Sequence, residues 1–186
     1  MRKDKFVWDE TVSFGDYKMD HVYTETMRNF ASTERWLYLG ADAGNSGFAK
    51  IGITTGDLSS RSYSSTNPNY YLFCAFKCNY DLPKEELASI EYSLLAKIDS
   101  LYRNSDGTSK RMSHHESGVL SECFCPVDFQ DFFVTLHQEI YDNFRHKFVI
   151  SGMENEIGDV DGEFVDCIFS QKIANPQNFR RLIIQY

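Results

Sequence analysis

Residues 35–55, RWLYLGADAGNSGFAKIGITT, leave this chain little conformational choice. Two apolar, β-compatible runs, 36–43 and 48–54, flank the stretch GNSG. Gly44, Asn45 and Gly47 tolerate the positive φ that short hairpin connections use, so the segment reads as an antiparallel hairpin. GDLSSRSYSS then reads as a short helix with Asp57 as its cap. NPN breaks that helix, and YYLFCAFKCNY reads as a third, mostly buried strand.

The strongest helical pattern follows in DLPKEELASIEYSLLAKIDSLY. Pro83 suits its first turn, and Glu85 and Glu86 suit the positive end of its dipole. Leu87, Ile90, Leu94, Ile98 and Leu101 recur at helical spacing. RNSDGTSKRMSHHESG is a polar loop and VLSECFC a fourth strand. A second amphipathic helix covers PVDFQDFFVTLHQEIYDNFRH, with Phe129, Phe132, Phe133, Leu136, Ile140 and Phe144 on its apolar side. Short strands are expected at 148–150 and 164–169, around an acidic loop at 154–166. The pattern predicts an α+β fold, a small and mainly antiparallel β-sheet flanked by helices. Residues 1–35 form an N-terminal extension holding a strand or short helix. Residues 36–145 form the central domain, and residues 146–186 form a C-terminal extension packed on it.

Composition narrows the function classes. A net charge of −8 argues against a general polyanion binder, with the acidic excess concentrated in the last third of the chain. Five scattered cysteines do not suggest a disulfide framework, which points to a reducing cytoplasm. Their spacing argues against zinc. No apolar stretch reaches the length of a membrane span, and MRKDKFVWDE has no apolar core of a signal peptide, so no membrane partner is expected.

One residue does not suit its face. At about 100° per residue, Glu91 falls among Leu87, Leu95 and Ile98, inside the apolar stripe of its helix. An isolated carboxylate there would cost several kcal/mol or be driven to its neutral form. It needs a metal ion, an arginine or a water-filled cleft, and the simplest partner is a structural salt bridge. Three other residues bear on the choice. Tyr38 alternates with Leu37 and Leu39 on the first hairpin strand, Lys50 lies near the middle of the second, and Arg61 sits on the short helix that follows. Taken singly, they are a packing tyrosine, a solvated lysine and a surface arginine. Together they place a phenol, an ammonium and a guanidinium around one end of a small sheet.

This ordered set resembles the GIY-YIG nuclease superfamily. The resemblance is carried by WLYLG, by KIG beginning twelve residues after the tyrosine, by Arg61 and by Glu91 in a helix. It is closest to the phage and bacterial branch whose second signature reads KIGIT, and SECF resembles a strand that follows the helix in that branch. Trp36 stands where glycine is usual, Lys50 takes the place of the second signature tyrosine, and Tyr63 is the candidate for the residue that follows the arginine. Leu94 stands where that branch often has histidine.

The resemblance implies a DNA endonuclease that hydrolyses phosphodiester bonds with one divalent cation, Mg²⁺ or Mn²⁺, held by Glu91 through oxygen. Arg61 would meet phosphate oxygens with its fork. Tyr38 would orient or deprotonate water, or Lys50 would take the proton if desolvation lowered its pKa. Gly52 would let the backbone approach the phosphate. Arg103, Lys110 and Arg111 make the polar loop a candidate DNA contact, with a plain solvated loop an equal reading. The DNA would be double- or single-stranded, and the nuclease would act alone or as a homo-oligomer. The alternative is a weakened module of the same fold that binds nucleic acid or a protein without cutting.

Overall fold

The expected hairpin forms, but its turn is built differently. The computed structural model describes residues 15, 19–20, 23, 34–56, 58, 67–154 and 160–186. In it β1 (Trp36–Asp42) and β2 (Asn45–Thr54) are joined through Ala43 and Gly44 alone. Asn45 to Gly47 belong to β2 rather than to the connection. The turn is held by Asp42, whose Oδ1 accepts the Gly44 N–H at 2.7 Å, and by the Ala43 N–H donating to the Asn69 carbonyl at 2.9 Å. Among the described residues positive φ is confined to Gly15, Gly107, Gly118 and Asn175, so the hairpin does not draw on left-handed backbone at Gly44, Asn45 or Gly47. A carboxylate that captures its own turn replaces that freedom.

The main sheet has six strands in the order β4-β5-β2-β1-β3-β8, every pair antiparallel. β3 spans Tyr70–Lys77, β5 Leu120–Phe124 and β8 Cys167–Phe169. β4 (Arg111–Ser113) arises within the stretch expected to be loop. Helices α1 (Lys84–Leu101) and α2 (Phe129–Phe144) match their apolar patterns. Pro83 is the N-cap of α1, one position before the expected first turn, and Leu101 is exposed rather than part of the stripe. α2 is capped by Asp128, whose Oδ1 accepts the Asp131 N–H at 3.0 Å.

Both helices cover one face of the sheet. Leu37, Leu39, Ala49 and Ile51 project into a core with Leu87, Leu94 and Ile98 of α1 and Phe132, Leu136 and Ile140 of α2. A bulge in β3 shapes this core. Leu39 pairs with Cys74 but Gly40 pairs with Leu72, so Phe73 is an extra residue. Phe73 and Cys74 therefore both point inward, and alternation resumes with its phase reversed. Phe73 becomes the hub of an aromatic cluster, meeting Phe129, Phe133, Phe169 and Phe179 edge-on with centroids 4.9, 5.4, 5.5 and 5.0 Å away.

The C-terminal stretch differs from its sequence pattern. The strand expected at 164–169 is two strands with Asp166 between them. β7 (Val160–Val165) pairs with β6 (Ile150–Glu154) in a separate ribbon, whereas β8 joins the main sheet beside β3. Residues 160–165 of the expected acidic loop are therefore β7, which carries Asp161 and Glu163. The chain ends in α3 (Pro176–Arg181) and a bridge from Gln185 back to Glu163. The N-terminal extension and most of the short helix after β2 lie outside the described residues. Leu58, which is described, is helical and packs on the outer side of the sheet.

His137 ties α2 to the ribbon. It is fully buried, and its Nε2 accepts the Val165 N–H at 3.0 Å, which places the ring proton on Nδ1. That Nδ1 has no hydrogen-bond partner among the described residues. Burial pushes its pKa down to about 4, against a smaller upward pull from Asp142. The unfolded histidine titrates near 6.5, so between these values the unfolded chain binds a proton that the folded chain does not. This contribution is present above pH 6.5 and declines as pH falls toward 4, by about 3 kcal/mol in all. His137→Gln keeps an acceptor but does not titrate. In urea unfolding between pH 7 and pH 4, wild type should lose stability more steeply than His137→Gln by up to one proton, and parallel curves would contradict this origin.

Candidate functional site

The outer face of the sheet carries the residues that the core does not use. Alternation along β1 puts Trp36, Tyr38 and Gly40 there, opposite Thr54, Gly52 and Lys50 on β2. On β3 the same face carries Lys77, Ala75, Leu72 and Tyr70, and on β5 it carries Cys123. Trp36, Tyr38, Leu72 and Ala75 form a small second cluster, with Leu58 packed against it. Tyr38 and Lys50, proposed from sequence to act together, thus lie on one face of adjacent strands, two residues out of register.

Glycines make room for the aromatic rings of this face. A Cβ at Gly52 would lie 2.4 Å from the Tyr38 hydroxyl oxygen and from its Cζ. Gly52 is therefore the floor under the Tyr38 ring, a role the sequence did not reveal. A Cβ at Gly40 would lie 2.3 Å from the Tyr70 hydroxyl oxygen. The Lys50 ammonium stands 5.9 Å from the centroid of the same Tyr70 ring, within cation–π range. Tyr70 thus belongs to the Tyr38–Lys50 array, although nothing in YYLFCAFK distinguishes it from a packing tyrosine. Only the β3 bulge, which reverses the face assignment below Cys74, brings it there.

Glu91 sits on α1 between the buried positions Ile90 and Leu94 and is half-buried. It is engaged in a polar, charged or ring contact, as its place in an apolar stripe requires. The buried side of α1 faces the inner side of the sheet, opposite Tyr38. Among the described residues β2 meets β5 only through Ala49 and Lys50, so beyond Lys50 its outer edge carries no strand. α1 packs against β2. The structure thus sets Glu91 and Tyr38 on opposite sides of the sheet, with β2 the strand that α1 touches. Arg61 and Tyr63 lie outside the described residues.

The polar loop is tightly built. It closes on the end of α1 through the Arg103–Ser109 bridge and the Lys110 N–H donating to the Tyr102 carbonyl at 3.1 Å, with Gly107 at φ +83° at its tip. Arg103 pairs with Asp99 at 3.4 Å, and the Arg111 Nε donates to the Ser121 carbonyl. Both guanidinium groups thus have partners, Arg103 on the last turn of α1 and Arg111 on β5. β4 is three strands from β1, roughly 14 Å at ordinary strand spacing, so Arg103, Lys110 and Arg111 form a basic edge apart from Tyr38.

Four of the five thiols, Cys74, Cys78, Cys123 and Cys167, are not poised for nucleophilic chemistry. All five cysteines are free. Burial raises the pKa of Cys74 and Cys123, and pushes Cys78 and Cys167 up to about 12. The Lys50 ammonium pulls Cys123 the other way but does not overcome burial.

Among the described residues no group of three or more His, Cys, Asp or Glu side chains could hold a metal ion. That donor set does not fit a preformed protein cage. No helix among the described residues is long and apolar enough to cross a membrane. No protein-family model, curated protein or solved structure matches the chain.

The two glycines should respond differently to a methyl group. Tyr38 is buried, so Gly52→Ala must distort β2 or force the ring from its place, at about 1–3 kcal/mol. Tyr70 is only half-buried and can swing outward, so Gly40→Ala should cost less while still moving Tyr70. Urea unfolding and the tyrosine ring resonances by NMR check both expectations. Wild-type stability with an unmoved Tyr38 in Gly52→Ala would contradict the packing described.

Proposed function

We propose that this protein is a metal-dependent DNA endonuclease of GIY-YIG type, acting in a reducing cytoplasm. The observation that carries the reading is the shared outer face of Tyr38 and Lys50, with Gly52 left empty under the tyrosine ring. A core needs neither an ammonium beside a tyrosine ring nor a glycine in mid-strand, which weakens a strand by its entropy and its missing contacts. The half-buried Glu91 on the adjoining helix adds the acid that the chemistry requires.

In this reading Glu91 would hold Mg²⁺ or Mn²⁺, which when bound supplies Lewis-acid stabilisation of charge at the scissile phosphate. Arg61 contributes a second positive group to the phosphate oxygens. Tyr38, packed over Gly52, orients the attacking water. The water proton passes to the Tyr38 oxygen in its phenolate form. The water oxygen forms a bond to phosphorus as one P–O ester bond breaks, leaving a phosphate monoester and an alcohol. Tyr63 is the further candidate that the resemblance adds. The basic edge of Arg103, Lys110 and Arg111 contacts DNA away from the reacting bond.

Supercoiled and linear DNA incubated with the protein should be cut in Mg²⁺ and not in EDTA. Glu91→Gln, Arg61→Ala and Tyr38→Phe should each lower the rate by about 100-fold or more. The unfolding curves of Glu91→Gln and Tyr38→Phe should stay near wild type, because both substitutions nearly conserve side-chain volume. Uncut DNA in every condition would overturn the nuclease reading. DNA retention without cutting would identify a binding module of the same fold, and unfolding of Glu91→Gln would mark Glu91 as a structural residue.

A further inference from the structure

A cleft of about 660 Å³ opens beside the Tyr38–Lys50 array, lined by β3, β8, Leu58, Asn67 and Pro68. Its volume falls in the range of sites that enclose one small molecule or one nucleotide unit. Tyr70, Leu72, Ala75 and Ile168 supply an aromatic and aliphatic wall, and Gln171 and Lys172 stand at the turn beyond β8. Ile168 pairs with Ala75, which pairs with Tyr38, so the cleft and the candidate catalytic face are one continuous surface.

Tyr70 joins the two. Its ring lies against Gly40 and within 5.9 Å of the Lys50 ammonium, and it also lines the cleft. The cleft rim is held in place by Asn67, whose Nδ2 donates to Asp42 Oδ2 at 2.6 Å while its Oδ1 accepts the Asn69 N–H at 2.9 Å. The pocket is thus anchored to the tip of the β1–β2 hairpin.

We propose that this cleft receives one unpaired nucleobase of the substrate, so that the protein acts on single-stranded DNA or on an extruded nucleotide. A base offers the flat apolar faces that Tyr70, Leu72 and Ile168 match, and the edge donors and acceptors that the Gln171 amide matches. Its backbone charge is met by Lys50 on one side of Tyr70 and by Lys172 at the mouth. A paired base inside a duplex keeps its faces stacked and cannot enter a cleft of this size. The identity of the ligand rests on the nuclease reading, whereas the cleft and its chemistry do not.

The test is equilibrium binding in EDTA, where cutting does not interfere. Fluorescence anisotropy would compare a labelled single-stranded oligothymidylate, the same oligomer carrying abasic sites at its centre, and a blunt duplex of equal length. The oligothymidylate should bind about tenfold or more tightly than the abasic oligomer. Ile168→Ser, a neutral change at a position that is 49 % exposed and so able to keep the fold, should shrink that difference. Tyr70→Ala should lower thymidylate affinity toward that of the abasic oligomer. Equal affinity for thymidylate and abasic oligomers, or tighter binding of the duplex, would overturn the proposal. Metal-dependent cutting with no base discrimination would sink this subsite alone, whereas base discrimination with no cutting in Mg²⁺ would sink the nuclease reading alone.

Discussion

The single extra residue in β3 decides what both faces of this sheet become. With Phe73 bulged toward the helices, one aromatic ring touches four others and closes the core between the sheet, α2 and α3. The same bulge reverses the strand's alternation, so Tyr70 and Leu72 turn outward and Tyr71 turns in. A regular β3 would bury Tyr70 and expose Phe73, losing the aromatic hub and the ring that stands beside Lys50 together. Packing on one side and the arrangement of polar groups on the other are two consequences of one backbone irregularity.

The outer face also illustrates how glycine can serve a neighbour rather than its own backbone. Neither Gly40 nor Gly52 adopts a left-handed conformation. Each is required because a tyrosine from the next strand occupies the space its side chain would fill. The result is a pair of phenols laid flat across the centre of a sheet, with an ammonium between strands β1 and β5. Such a surface is preorganised, since strands hold side chains more firmly than loops do. Preorganised charge and hydrogen-bonding groups are what phosphoryl chemistry demands, because the largest catalytic term there is electrostatic.

Much of this was legible in the residues. The hairpin, the third strand, both long helices and the α+β class follow from apolar periodicity, which the core then obeys. Tyr38 and Lys50 fall on one face because strand alternation has a period of two. What escaped the sequence has specific causes. The hairpin turn moved because the Asp42 carboxylate captures the Gly44 N–H, a local competition that glycine counting does not register. β4 is too short, at three residues, to show a period. The 164–169 run looks continuous, yet Asp166 changes sheets, its N–H donating to Val149 and its carbonyl accepting from Lys77. Tyr70 and the cleft depend on the bulge, and His137 shares its helical spacing with ordinary core residues.

The central claim is that Tyr38 on β1 and Glu91 on α1 serve one reaction although the helix packs on the opposite side of the sheet. A double-mutant cycle of DNA cleavage rates with Tyr38→Phe and Glu91→Gln measures this directly. Groups that act as a unit lose their effect together, so the double variant should be no slower than the worse single variant. Rate losses that multiply, or a variant pair that cuts as fast as wild type, would show that the two residues belong to no common site.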